Sequence, residues 1–233
     1  MAYLLALDTA TRYTGLALLA EGDLLAELNW RSHDSQTTEL TPRLSQLLAW
    51  HGLAPADVAA IAVSLGPGSF TGVRIALSVA KGIAVAQGTP LVGVSTLDAT
   101  AYPFLRAAGS VAAVVQAGRG RVCWALYADR PPEPPAPEVG WAPLRLGGWQ
   151  GWRTAFHLSD PQGLAQQVTR PTLFVGELTP ALVETWVGPQ ALMSEAVASG
   201  RRAAVLGYLG WLRWQAGDVD DPASLSPIYL REP

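Results

Sequence analysis

Two short stretches of this chain gather the residue types that handle phosphate. Asp8-Thr9-Ala10-Thr11 offers a carboxylate and two hydroxyls in one turn, side chains of the kinds that meet cations and phosphate oxygens. Gly66-Pro67-Gly68-Ser69-Phe70-Thr71-Gly72-Val73-Arg74 follows the apolar run Ile61 to Leu65 and opens a long helical pattern. Its glycines relax the steric limits on the backbone, Pro67 fixes one φ, and Ser69 and Thr71 offer N-caps for the helix. The candidate pocket is therefore Asp8, Thr9, Thr11, Gly66, Gly68, Ser69, Thr71 and Gly72. Aspartate and threonine are also ordinary turn residues, so the same set could grip a phosphate or serve only as a turn that aims a helix.

Other chemistries find little support. His33, His51 and His157 are too far apart to form a His-x-x-x-His metal pair, and no catalytic or metal residue is assigned. Asp218, Asp220 and Asp221 precede Pro222 in a polar turn and read as solvated carboxylates. Ser69 stands in Gly-Ser-Phe-Thr-Gly rather than the Gly-x-Ser-x-Gly of a nucleophile elbow. The single cysteine, Cys123, lies in the strand-like run Val122 to Tyr127 and cannot form an internal disulfide, which points to a reducing, cytoplasmic setting. A net charge of −3 gives no global field for nucleic acid; Arg119 with Arg121 and Arg201 with Arg202 are the basic clusters, read as solvated surface. The apolar start, Tyr3 to Leu7, runs straight into Asp8 and has neither the length of a membrane span nor the basic lead of a signal peptide.

The elements that must position these residues follow from periodicity. Residues 4–7, 16–19 and 24–30 read as three strands of an antiparallel meander, 60–65 as a fourth and 91–94 as a fifth. Leu40, Leu44, Leu47 and Leu48 recur at helical spacing until Gly52, and 72–87 form a second helix stopped by Gly88-Thr89-Pro90. Ala76, Ala80 and Ala84 make a stripe of small side chains on that helix, open to two readings: packing within the chain, or close approach of a partner's helix. Beyond residue 101 the pattern predicts a short helix to about Arg106 and a hairpin from 111–115 to 122–127. A stiff or disordered proline run at 131–137, a strand at 173–176 and a helix over 191–215 follow. The fold class is α/β, in two subdomains: 1–100 and 101–233, with the C-terminal tail returning to the first.

The order strand, turn, strand, strand, helix, strand, Gly66-to-Arg74, helix, strand resembles the TsaB (YeaZ) family, whose fold is that of the actin, Hsp70 and sugar-kinase (ASKHA) superfamily. The resemblance is strongest over 1–100 and is carried by Leu5 to Thr11, the Leu44 helix, Gly66 to Arg74 and Ala80-Lys81-Gly82. It thins beyond 101 to Val122–Tyr127 and Pro227-Ile228-Tyr229-Leu230-Arg231. It implies two ASKHA subdomains, each with a mixed sheet of about five strands flanked by helices. Three departures stand out. Ala10 replaces a glycine frequent in ATPases of the superfamily, Gln36-Thr37-Thr38 replaces a His-Ser-Glu run, and Gln116-Ala117-Gly118 replaces Asp-Ala-Arg. Gly147-Gly148 fits an adenine-binding glycine pair poorly, because Trp149-Gln150-Gly151-Trp152 follows it.

The resemblance further implies a non-catalytic subunit that dimerises with the catalytic paralogue TsaD. With the ATPase TsaE, the assembly would transfer a threonylcarbamoyl group from an adenylate made by TsaC to N6 of adenosine 37 in tRNAs reading ANN codons. A homodimer is implied when the partner is missing, tRNA is met through the complex, and no membrane is involved. The implied interface is Leu40, Leu44, Leu47 and Leu48 with Val73, Arg74, Ala76, Leu77, Ala80 and Ala84, not all of which can serve because one helix face must cover the sheet. No cofactor is expected beyond weak ATP or ADP binding at a vestigial pocket. The alternative is an ATP-dependent phosphotransferase using Asp8 as metal holder and 66–72 as phosphate cradle.

Overall fold

The protein is described here by a computed structural model covering residues 1–32, 35–131, 139–186, 190–195 and 200–230. Apolar runs build a first sheet from β1 (Tyr3–Asp8), β2 (Tyr13–Ala20), β3 (Asp23–Arg31), β4 (Val58–Ser64) and β5 (Leu91–Val94). Its order is β3-β2-β1-β4-β5. The pairs β1–β2 and β2–β3 are antiparallel, and β1–β4 and β4–β5 are parallel. Unbroken hydrophobicity in β1, β2 and β4 suits strands covered on both faces. Successive side chains alternate between those faces, so Leu5, Leu7, Leu16 and Leu18 enter one core with helices α1 (Gln36–Trp50) and α2 (Phe70–Gln87).

The opposite face is covered by helix α6 (Ala203–Gln215), whose Gly207 lies against Leu19 and Ala6 and whose Gly210 lies against Ala62. The first unit therefore does not end at residue 100 but takes in a returning C-terminal segment, the arrangement the sequence reading allowed for the tail. The first compact unit is 1–96 with 202–229, and the second is 97–201 with 230–233. The physical reason is that β1, β2 and β4 have a second apolar face, which nothing within the first hundred residues covers.

Among the described residues the second unit's sheet has seven strands where about five were expected. The hairpin β6 (Ser110–Ala117) and β7 (Arg121–Ala128) stands at its centre, as the sequence suggests. The sheet is widened by β8 (Ala142–Leu146), β9 (Trp149–Arg153) and β10 (His157–Ser159) on one side, and by β11 (Thr172–Gly176) and β12 (Ala191–Met193) on the other. Helices α3 (Thr96–Ala101), α4 (Pro161–Gln167) and α5 (Pro180–Thr185) complete it. The helix expected over 191–215 begins only at 203, because Ala191–Met193 pairs with β11 as a strand. Most of the proline run at 131–137, and His33, lie outside the described residues. In this unit's core Tyr127 is fully buried; its hydroxyl donates to Asp98, which also binds Arg153 through both carboxylate oxygens at 2.9 Å. Burial, then the adjacent Asp98 charge, pushes the Tyr127 phenol well above its usual range.

Helix α6 has no side-chain cap of its own at Arg202, and β3 supplies one. Glu27 accepts the Ala204 N–H at 2.8 Å and the Arg202 Nε–H at 3.0 Å, and Asn29 accepts the Ala203 N–H at 3.4 Å. A carboxylate at a helix N-terminus meets both its unpaired N–H groups and the positive end of its dipole. Burial works to raise the Glu27 pKa, but the bonds from Ala204, Asn29 and Arg202 outweigh it and hold the group below its ordinary value. Because the folded value is depressed, this stabilisation is complete above the ordinary glutamate pKa and is lost as pH falls through the folded one. The Glu27→Gln variant should lose roughly 1–2 kcal/mol of unfolding free energy at neutral pH. In urea titrations the gap between variant and wild type should narrow as the buffer is taken below the ordinary glutamate value and through the depressed folded one; a gap independent of pH would remove the carboxylate from the account.

Candidate functional site

Asp8 ends β1 opposite Gly15 of β2, buried, with its Oδ1 accepting the Ala10 N–H at 2.9 Å. The turn it opens is held from three directions. Thr9, fully buried, donates its hydroxyl to the Gly72 carbonyl at 2.5 Å and accepts the Ala76 N–H at 3.0 Å. Gly72 and Ala76 are the two ends of one α-helical turn, so the hydroxyl is inserted into the hydrogen-bond ladder of α2. From α1, Gln36 donates its amide to the Thr11 carbonyl at 2.6 Å and to the Thr14 hydroxyl at 3.0 Å.

The glycine-rich turn answers from the other side. Ser69 donates its N–H to the Ala10 carbonyl at 2.6 Å, and its hydroxyl accepts the Gly72 N–H at 3.1 Å as the N-cap of α2. A Cβ on Gly68 would stand 2.2 Å from the Ala10 oxygen, and one on Gly72 2.2 Å from the Thr9 oxygen. Here glycine serves close approach of backbone to backbone, where a phosphate cradle would use it for backbone to anion. The two loops foreseen in the sequence thus meet through Thr9, Ala10, Gly68, Ser69 and Gly72, but the Ser69 and Gly72 N–H groups, the Thr9 hydroxyl and Asp8 Oδ1 have partners within the chain. Asp8, Thr9, Thr11, Gly66 and Gly72 are buried; Gly68, Ser69 and Thr71 are exposed.

The interface residues foreseen in the sequence need correction. Leu40, Leu44, Leu47 and Leu48 of α1 and Val73, Ala76, Leu77, Ala80 and Ala84 of α2 are all buried, and all but Val73 belong to the cluster that closes over the sheet. The alanine stripe is the inner face of α2, its small side chains letting the helix lie close on β1 and β4. Of the ten, only Arg74 is exposed. The outer stripe of α2 is Thr71, Arg74, Ser78, Gly82 and Val85, and that of α1 is Thr38, Thr41, Ser45 and Ala49.

Other candidates resolve into structural roles. His157 stacks on Trp124 with ring centroids 4.4 Å apart, and His51 caps the end of α1. Cys123 is a buried strand residue whose thiol burial pushes up to about 11. The aspartates read as solvated have partners: Asp218 binds Arg213, Asp220 accepts the Gly93 N–H, and Asp221 caps a turn at Ala223 and Ser224. Among the described residues no three His, Cys, Asp or Glu gather as a metal site. Gly147 and Gly148 lie between the paired strands β8 and β9, a hairpin turn rather than a helix N-terminus. Arg202 is engaged by Glu27, while Arg119 sits at positive φ in the β6–β7 turn. Sequence reasoning missed Gln36, Glu27 and Tyr229, whose hydroxyl accepts from Arg74 Nε at 2.7 Å. Only the departure at Gln36-Thr37-Thr38 from an otherwise matching pattern signalled the first.

With this geometry established, comparison with known proteins is informative. The family model described as TsaD, tRNA N6-adenosine threonylcarbamoyltransferase, matches residues 29–131. The tRNA threonylcarbamoyladenosine biosynthesis protein TsaB of Bacillus subtilis is 29% identical over 233 residues, spanning 98% of this chain and 93% of its own. The protein of the same name from Escherichia coli is 40% identical over 128 residues, 53% of this chain and 54% of its own. A crystal structure from Pseudomonas aeruginosa, described as similar to the peptidase YeaZ, superposes with a TM-score of 0.78 at 30% identity, covering 99% of this chain and 100% of that one. Fold, turn and sequence agree: the chain belongs to the TsaB (YeaZ) family.

Proposed function

We propose that this chain is the non-catalytic subunit of the bacterial assembly that attaches threonylcarbamoyl to N6 of adenosine 37 in tRNAs reading ANN codons. It acts by pairing with a TsaD-type catalytic paralogue. TsaE and tRNA join through that complex, the setting is the cytoplasm, and a second copy of the chain takes the partner's place when the partner is absent. The relatives from Bacillus subtilis and Escherichia coli, named for this biosynthesis, support the pathway. The TsaD-type match over 29–131 supports a partner of like fold, since that range includes both α1 and α2.

The observation that carries the non-catalytic reading is the direct bond from Ser69 N–H to the Ala10 carbonyl. Phosphate binding at such a turn needs free N–H donors and open space between the two loops, and here one backbone occupies the approach to the other. The phosphotransferase alternative loses its cradle for that reason. A peptidase reading fares no better, since the Ser69 hydroxyl is turned to the helix as its cap. Partner contact falls to the outer stripes of α1 and α2, where Ser78 and Gly82 let another helix approach closely and Val85 and Trp50 are 74% and 59% exposed.

Calorimetric titration with Mg-ATP should give no heat of binding in the micromolar range, and Asp8→Asn should still restore threonylcarbamoyladenosine to tRNA in cells lacking the gene. Micromolar affinity with turnover would overturn the reading. A second test uses the two faces of α2. At Gly82 an added Cβ meets nothing within 4 Å, so Gly82→Trp should fold normally and lose co-purification with TsaD. Ala80→Trp, at a fully buried position, should instead unfold the chain. Retained binding by a folded Gly82→Trp protein would move the interface elsewhere.

A further inference from the structure

Of the C-terminal residues that resemble the family, Pro227-Ile228-Tyr229, Tyr229 bonds to Arg74 at the start of α2. Between Gly217 and Tyr229 the chain forms no helix or named strand, yet it is bonded at both ends. At the near end Arg213 holds Asp218 at 2.6 and 2.9 Å and donates to the Gly93 carbonyl. Asp220 accepts the Gly93 N–H at 2.7 Å and donates its own N–H to the Leu91 carbonyl at 2.8 Å. These bonds occupy the outer edge of β5, the last strand of its sheet. Two opposed carboxylates raise the Arg213 pKa, the Asp218 bond foremost, and Arg213 lowers that of Asp218 in return.

At the far end Leu225 and Ile228 pack on the cluster beneath α1 and α2. The Ile228 N–H donates to the Leu65 carbonyl at 2.7 Å, immediately before Gly66. Tyr229 then reaches the first turn of α2. Its hydroxyl accepts from Arg74 Nε at 2.7 Å, its ring lies 5.1 Å from that of Phe70, and the Arg74 guanidinium lies 3.7 Å from the Phe70 ring centroid and 5.5 Å from its own. The turn is thus held on one side by the Asp8 loop and on the other by the tail. Arg74, on the outer stripe of α2, would otherwise be a long, freely rotating side chain; stacking on Phe70 and one bond from Nε to the Tyr229 hydroxyl fix it.

We propose that residues 218–229 are a clasp that fixes the direction of the Gly66–Arg74 turn, and that Tyr229 is a positioning residue for Arg74 on the partner-facing stripe. The second half rests on the reading of the chain as a TsaD-pairing subunit; the first half stands without it. An undocked tail leaves a smaller fraction of molecules with the stripe in its competent arrangement, and apparent affinity falls by that fraction.

The experiment combines hydrogen exchange on the full-length chain with titration against TsaD, for wild type, Tyr229→Ala and Tyr229→Phe. Tyr229→Ala should speed exchange of the amides of 66–74 by about tenfold while β1, β2 and α6 keep their protection. It should also weaken TsaD binding by about tenfold. Tyr229→Phe, which keeps the ring and loses the acceptor, should fall between, and should shift the Arg74 Nε–H resonance while leaving turn protection mostly intact. Unchanged exchange at 66–74 in Tyr229→Ala overturns the clasp. Faster exchange with unchanged TsaD affinity overturns the positioning role, whereas a wild-type chain that does not bind TsaD refutes the underlying functional reading and leaves the exchange result to judge the clasp.

Discussion

The Thr9 hydroxyl, set between the Gly72 carbonyl and the Ala76 N–H, is the contact on which the arrangement of the first unit depends. It makes the end of β1 part of the hydrogen-bond ladder of α2, so the helix cannot slide along the sheet without losing two buried bonds. Leaving either buried backbone group unpaired costs on the order of 1–3 kcal/mol. The Ser69-to-Ala10 bond beside it fixes the entry of the same helix. These contacts need a residue without Cβ at 68 and 72 and a hydroxyl at 9, and the chain has all three.

From that anchored helix the allocation of faces follows. Alanine at 76, 80 and 84 lets α2 lie near the strands, and the leucines of α1 fill the space beside it. A helix held so close leaves its opposite face projecting, with Ser78 and Gly82 along its middle. The other side of the sheet must then be covered by a distant segment, and α6 does this with its N-terminus capped by Glu27 of β3. An inner stripe of small residues is thus a device for packing on the sheet, while the small residues that could admit another helix lie about half a turn around the helix.

Elements governed by local pattern were legible in the sequence. β1 to β5, α1, α2 and the β6–β7 hairpin announced themselves by apolar runs, helical leucine spacing and glycine stops, and the turns after β1 and β4 touch at Thr9, Ala10, Gly68, Ser69 and Gly72. What was not legible depends on long-range geometry. The stripe at 76, 80 and 84 looks identical whether it faces a sheet or another molecule; only the Thr9 anchor, sixty-seven residues from Ala76, decides it. The short strands β8 to β10 and β12 carry weak alternation, and their pairing is determined by a neighbour already in place. Asp218 and Asp220 looked like a solvated turn because nothing near them in sequence reveals the edge of β5.

A phosphate loop and a rigid helix mount make opposed demands on the same atoms. The first needs N–H groups left unpaired until an anion arrives, a state that is costly when buried and that leaves the loop free to adjust. The second needs those groups satisfied within the chain at all times. In this protein Ser69 N–H, Gly72 N–H and the Thr9 hydroxyl are satisfied, Ala10 has a side chain where the loops meet, and the tail adds a bond at Leu65 from outside. Each step removes freedom that catalysis by closure around a nucleotide would require, and each makes the direction of α2 better defined. Glycine is required at 68 and 72 because backbone there approaches backbone too closely for any Cβ. On this geometry the turn is suited to holding one helix face outward.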